Sequence, residues 1–351
     1  MDDPLNPSPT RSRRWLAAGL GAALLLASLA TAAAPPIDRA GLRAELAADL
    51  LARDDALSNL AGAAVLAQDR GLDGPVSLRL VQGENAFARL RHGDPDPRVL
   101  WVAAAACPFS AEVCEPAAAR AALLDAEPDN GANWLLAGID AIEAGDVAAL
   151  GAALDGMARA PRFDLRTTLL VRPIHFALRP RSDDPRWRAY AAEVLGLDAA
   201  QVDGALAALV LASELGLAVD FPAVATLGGW CITAQARAVG MRGRCERAML
   251  RMARHASTAH EAMVGYAAAA RIAGDARRRF EHAQRVAALG WLADEARSAS
   301  VADGLDAVRG DLARLVAAES ELAWMRANVE ARGVRMAPGL PPDPRAVARR
   351  D

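Results

Sequence analysis

More than half of this chain is apolar, 53 %, yet aromatic residues supply only 4 % of it, because much of the apolar count is alanine. Alanine has the highest intrinsic helix propensity and lets neighbouring helices approach closely. β-Branched residues are sparse, so a large sheet is disfavoured. The composition therefore predicts an all-α protein of closely packed helices, with a few large rings filling the shallow grooves that alanine leaves. Trp101, Trp134, Trp230 and Trp291 are the expected packing anchors.

The pattern of apolar positions divides the chain into short helices. Residues 37–69 read as two helical stretches broken around Asp54-Asp55. Residues 76–81 alternate briefly, as a strand would, but no partner strand is visible. Pro97 suits a first helical position and opens a helix over 98–107, and Pro116 is tolerable only in the first turn of the next. Breaks at 127–130 and 145–146 then separate helices over 133–143 and 147–159. Helices of this length joined by such short turns lie antiparallel beside each other. The polar connector 179–185 divides an N-terminal helical subdomain, 37–178, from a C-terminal one, 185–333. In the latter, helices are expected over 187–194, 198–215, 221–237, 244–257, 259–272 and 275–289. A single long closing helix is expected over 305–331, and 334–351 reads as a flexible tail.

Within 96–162, Trp134, Gly138 and Ala141 on one helix, Leu150 and Leu154 on the next and Pro161 after it form a pattern. A similar pattern stands 34 residues earlier at Leu100, Ala103, Ala104 and Cys107, and Pro128 closes that earlier unit, Pro161 lying one residue short of the equivalent place. These residues resemble the tetratricopeptide repeat, a unit of about 34 residues folded as helix-turn-helix. Ala137 departs from the leucine usual in that family, and Ala141 from the tyrosine. The resemblance implies antiparallel helical hairpins stacked as a tetratricopeptide-like solenoid or an irregular helical array. Such arrays present extended concave surfaces to peptides and proteins.

Residues 15–34 carry no charge and follow Arg11, Arg13 and Arg14. A run of this length is a signal-peptide core or a single membrane span, with residues 1–14 left in the cytoplasm. Residues 12–16, Ser-Arg-Arg-Trp-Leu, resemble a twin-arginine export signal. Ala30-Thr31-Ala32 and Ala32-Ala33-Ala34 both offer small residues for cleavage. The expected location is the bacterial periplasm, with the chain either soluble or anchored in the inner membrane by its N-terminal helix.

Export makes disulfides the expected state of Cys107, Cys114, Cys231 and Cys245. Three pairings are formally possible. Spacing favours Cys107 with Cys114 and Cys231 with Cys245, each pair clamping one hairpin, although Cys231 falls well inside its expected helix. Neither pair has the spacing of a zinc knuckle or of a Cys-x-x-Cys redox site.

Chemistry is scarcer. His255-Ala-Ser-Thr-Ala-His260-Glu261 is the one polar cluster that invites an enzymatic reading, and Glu281-His282, one helix later, could approach it. His255 and His260 are five residues apart, about 140° around a helix, whereas a helical zinc pair needs a spacing of four. No glycine-rich phosphate loop and no Gly-x-Ser-x-Gly elbow is present. Asp54-Asp55 and Asp183-Asp184 read as helix starts, and Arg277-Arg278-Arg279 with Arg285 as a solvated face. A net charge of -3 with interspersed signs gives no surface for nucleic acid. The expectation is an envelope protein acting as a protein- or peptide-binding scaffold, with no cofactor, no metal and no catalytic residue. The alternative is an envelope enzyme with its site near His255, His260 and Glu281.

Overall fold

Acidic and hydroxyl side chains set where the helices begin. In the computed structural model, which describes residues 37–68, 96–106, 116–216, 223–296, 301–337 and 340, α1 (Arg39–Leu51) starts on Asp38, whose carboxylate accepts from Gly41 N–H. Two helices follow on the N-terminal side, α2 (Ala56–Gln68) and α3 (Pro97–Ala106), then α4 (Pro116–Ala126). Asn130 caps α5 (Gly131–Ala144), and Asp146 caps α6 (Val147–Arg159). Next come α7 (Val171–Leu178), α8 (Pro185–Leu195), α9 (Gly204–Gly216) and α10 (Ala223–Cys231). The chain continues through α11 (Ala234–Ala238), α12 (Arg242–His255), α13 (Ala259–Ile272) and α14 (Ala276–Glu295). It closes with α15 (Leu305–Ala317) and α16 (Glu321–Ala331). These sixteen α-helices, three short 3-10 helices and an isolated bridge between Asn130 and Arg162 are the regular structure among the described residues. The all-α expectation holds.

Consecutive helices pair as hairpins: α1 with α2, α3 with α4, α5 with α6, α12 with α13, and α13 with α14. Small residues let them close. A Cβ added at Gly265 on α13 would lie 2.7 Å from the Met249 carbonyl oxygen on α12, so that crossing admits only glycine without a shift. Likewise Gly156 on α6 lies under the Trp134 indole of α5, where an added Cβ would collide with the ring.

The stacking is not a simple succession. After α6 the chain leaves the stack, and α7, α8 and α9 pack beside α1 and α2 instead. It then returns, and α12 docks directly on α6. The helix α9 anchors the excursion. Its residues 206–212 are all buried, and a helix apolar on every side belongs in an interior. It contacts α7, α8, α2 and α15, so the penultimate helix folds back onto the excursion. One core accordingly runs from Leu42 to Val308, and a smaller one joins α13, α14 and α16 through Tyr266, Leu289, Leu292 and Val329.

Three expectations change. The segment expected as one helix over 221–237 is two, because Thr233 caps α11, accepting from Ala236 N–H at 3.2 Å while its hydroxyl donates to the Trp230 carbonyl. Cys231 is therefore the last residue of α10 rather than an interior one. The closing helix is also two, since Ala318 is extended and Ser320 caps α16. Finally, no helix among the described residues is long and apolar enough to cross a membrane. The longest, α14, has twenty residues but carries Arg277, Arg278 and Arg279 in its first turns. This corrects the expectation of a transmembrane, membrane-anchored chain in the inner membrane. Residues 15–34, on which that expectation and the periplasmic location rested, lie outside the described residues, as do residues 76–81, and neither location enters the functional reading below.

Candidate functional site

Four separated segments meet around a cleft of about 720 Å³: the α1–α2 turn, the start of α3, the strap entering α7 with α7 itself, and the α15–α16 turn. Helix starts shape its polar side. Asp55 accepts from Ser58 N–H at 2.7 Å and caps α2. Burial pushes the Asp55 carboxyl upward, but the hydrogen bonds from Ser58, with Arg53 and Arg98 nearby, outweigh it and hold the group below the usual range. Asp96 does the same at α3, accepting from Arg98 N–H at 2.9 Å and from its guanidinium at 2.6 Å. That guanidinium holds Asp96 low against its desolvation. Arg53 pairs with Asp49 at 3.1 Å.

α7 differs from these two. It begins on Leu170 with no side-chain cap. Arg172 in its first turn is exposed and has no carboxylate partner among the described residues. Its guanidinium carbon stands 5.7 Å from the centre of the Phe176 ring, one turn further on. Phe176 itself is 47 % exposed, one of five exposed large apolar side chains among the described residues and second to Phe280. Leu57, Leu169, Pro173 and Val316 complete the apolar part of the lining, and Thr168 and Glu319 add polar groups. The arrangement offers cations beside a greasy surface. Neither histidine nor cysteine is among the lining residues, and the Ser58 hydroxyl is hydrogen-bonded to the Asp55 carboxylate.

The strap that presents Thr168 is fixed by a second polar cluster. Arg166 adopts φ 54°, a left-handed conformation costly for a side chain with a Cβ, and is nearly buried with its guanidinium on Glu127. Asn130 accepts from Asp164 N–H at 2.9 Å and donates to the Asp164 carbonyl at 3.1 Å. One step deeper, Ser257 in the α12–α13 turn joins three parts of the chain. Its hydroxyl accepts from Leu165 N–H at 3.1 Å, its carbonyl accepts from Leu322 N–H at 3.0 Å, and its own N–H donates to Glu261 at 2.9 Å. Glu261 is wholly buried. Burial pushes its carboxyl up to about 8, and the carboxylates of Asp164 and Glu321 add to the rise against the hydrogen bond from Ser257. Both neighbours are themselves raised, chiefly by desolvation. With serine and glutamate both inside, this cluster holds loops together and presents no nucleophile to solvent.

The residues singled out from sequence fall as follows. His255 ends α12, and burial, with Arg251 and Arg254 beside it, pushes it down to about 4. His260 is exposed at the start of α13. Glu281 on α14 is exposed and accepts from Arg277 at 2.9 Å. No group of three metal-capable side chains occurs among the described residues. Cys231 and Cys245 are joined by a disulfide, their Cα atoms 5.6 Å apart, between the end of α10 and the first turn of α12. Cys107 and Cys114 lie outside the described residues. Trp101 is fully buried in the large core, Trp134 and Trp230 pack against it, and Trp291 packs against the small one. Trp187, buried to 1 % and not singled out from sequence, fills the core as completely as Trp101. Glu261, read from sequence as part of the polar cluster with His255 and His260, instead completes a capping box, whose signature Thr258-x-x-Glu261 ahead of an apolar helix went unread.

These features define an all-α protein of stacked helical hairpins interrupted by a three-helix excursion, with a mixed cationic and apolar cleft where the excursion meets the N-terminal hairpin. No protein-family model matches the chain, and no curated protein or solved structure matches it either.

Proposed function

We propose that this protein is a binding protein built on a tetratricopeptide-like hairpin array, and that its cleft holds a segment of a partner polypeptide. Two features support the repeat reading. Helices α3 and α5 begin at Pro97 and Gly131, 34 residues apart. Trp134 closes over Gly156 between paired helices, a large ring against a small residue. The excursion over 171–216 is the departure from a regular array, and it is what creates the cleft.

The observation that carries the function is the cleft lining. An exposed aromatic beside arginines recognises side chains of opposite chemistry at once, as interface hot spots do. Its volume suits a few residues of polypeptide, since small-ligand sites run to about 300–1,000 Å³. A random peptide library panned against the wild type and against Phe176→Asp tests the reading. Phe176 is on the surface, so the variant keeps its fold, as its circular dichroism and melting temperature report. The expected result is a set of peptides retained by the wild type and lost by the variant. Equal retention by both proteins, or none by either, contradicts it.

A further inference from the structure

We infer that the cleft selects an acidic peptide segment, in which a side-chain carboxylate seats on Arg172 and a neighbouring apolar side chain on Phe176; this rests on the binding reading above. Arg98 is matched by Asp96 and Arg53 by Asp49, while Asp55 is committed to the start of α2. Arg172 is left as a cation with no carboxylate of its own among the described residues. Its stacking over the Phe176 ring orients the guanidinium plane and leaves its N–H edges to a planar, bidentate acceptor. The uncapped start of α7 adds the positive end of a helix beside Arg172. Asp55 and Glu319 also line the cleft and disfavour a run of acids there, so one carboxylate flanked by apolar residues fits better than a polyacidic tract.

The experiment uses four pools of acetylated, C-terminally amidated dodecapeptides, fluorescently labelled and randomised except for a central pair: Glu-Leu, Gln-Leu, Lys-Leu or Glu-Glu. With both ends blocked, only a side-chain carboxylate is available. The wild type is expected to bind the Glu-Leu pool about tenfold tighter than Gln-Leu, the worth of one charge-assisted pair, and tighter than Glu-Glu. Arg172→Glu is expected to reverse the order in favour of Lys-Leu with the melting temperature unchanged, because Arg172 is exposed and holds no ion pair that would be lost. Equal binding of Glu-Leu and Gln-Leu, or an order unaltered in Arg172→Glu, overturns the inference. If all pools bind alike but Phe176→Asp abolishes them, the cleft still holds peptides and only the selectivity fails. If no pool binds, both readings fail. Displacement of the Glu-Leu pool by an equal concentration of free 3-phenylpropionate also overturns it, since the site would then be one for small organic acids.

Discussion

Glu261 shows how a single buried acid couples this molecule to pH. Its carboxyl moves from an ordinary 4.5 in a solvated chain up to about 8 in the fold. The folded state therefore holds a proton that the unfolded state releases between those values, and stability falls as pH rises through that window. Below about 4.5 both states are protonated and the penalty vanishes; above about 8 it is fully present. Glu261→Gln keeps an acceptor for Ser257 N–H and removes the ionisation. The variant is expected to match the wild type at pH 4 and to exceed its stability at pH 8.5 by a few kcal/mol, at most about 5 from the size of the shift. Urea denaturation at the two pH values checks this. A destabilised Glu261→Gln at pH 8.5 would mean that the carboxylate, rather than its proton, holds the Ser257 junction.

At the scale of helices, small residues are not equivalent. Gly138 belongs to the repeat-like pattern of the sequence and Gly265 to the α12–α13 crossing, yet a Cβ at Gly138 would meet its nearest neighbour at 3.7 Å, ordinary contact, whereas Gly265 has the Met249 carbonyl oxygen at 2.7 Å. Gly138→Ala is expected to be neutral or to stabilise by up to about 1 kcal/mol through helix propensity. Gly265→Ala is expected to cost about 1–3 kcal/mol, because α12 and α13 must separate. Thermal melts of the two variants decide it, and equal effects would place the α12–α13 crossing elsewhere. The same contrast explains what the sequence disclosed. Helices such as Val147–Arg159 and Ala259–Ile272 were legible to the residue, since an alanine-rich apolar stretch sits between a capping side chain and a turn. The breaks at Thr233 and Ser320 were not, because an isolated hydroxyl residue reads equally as helix interior or as a cap. Only the neighbouring turn geometry separates the two.

For the whole molecule, the hairpins were legible in the sequence but their order in space was not. Docking of α12 on α6 and of α15 on α9 joins segments far apart in the chain, and no periodicity records such contacts. The cleft was invisible for the same reason: Arg53, Arg98, Arg172 and Val316 belong to four regions that only the excursion brings together. Arg172 and Phe176 are one turn apart and share a helix face, but a cation and an aromatic at that spacing are common on solvated helices. Hydrogen exchange on the protein alone and with peptides recovered from an unbiased library tests most directly whether this junction is the binding site. Slowed exchange is expected at 53–58, 168–176 and 316–319, with the exposed first turns of α14 unchanged. Protection confined to α14, or to the hairpins away from the excursion, would contradict the account.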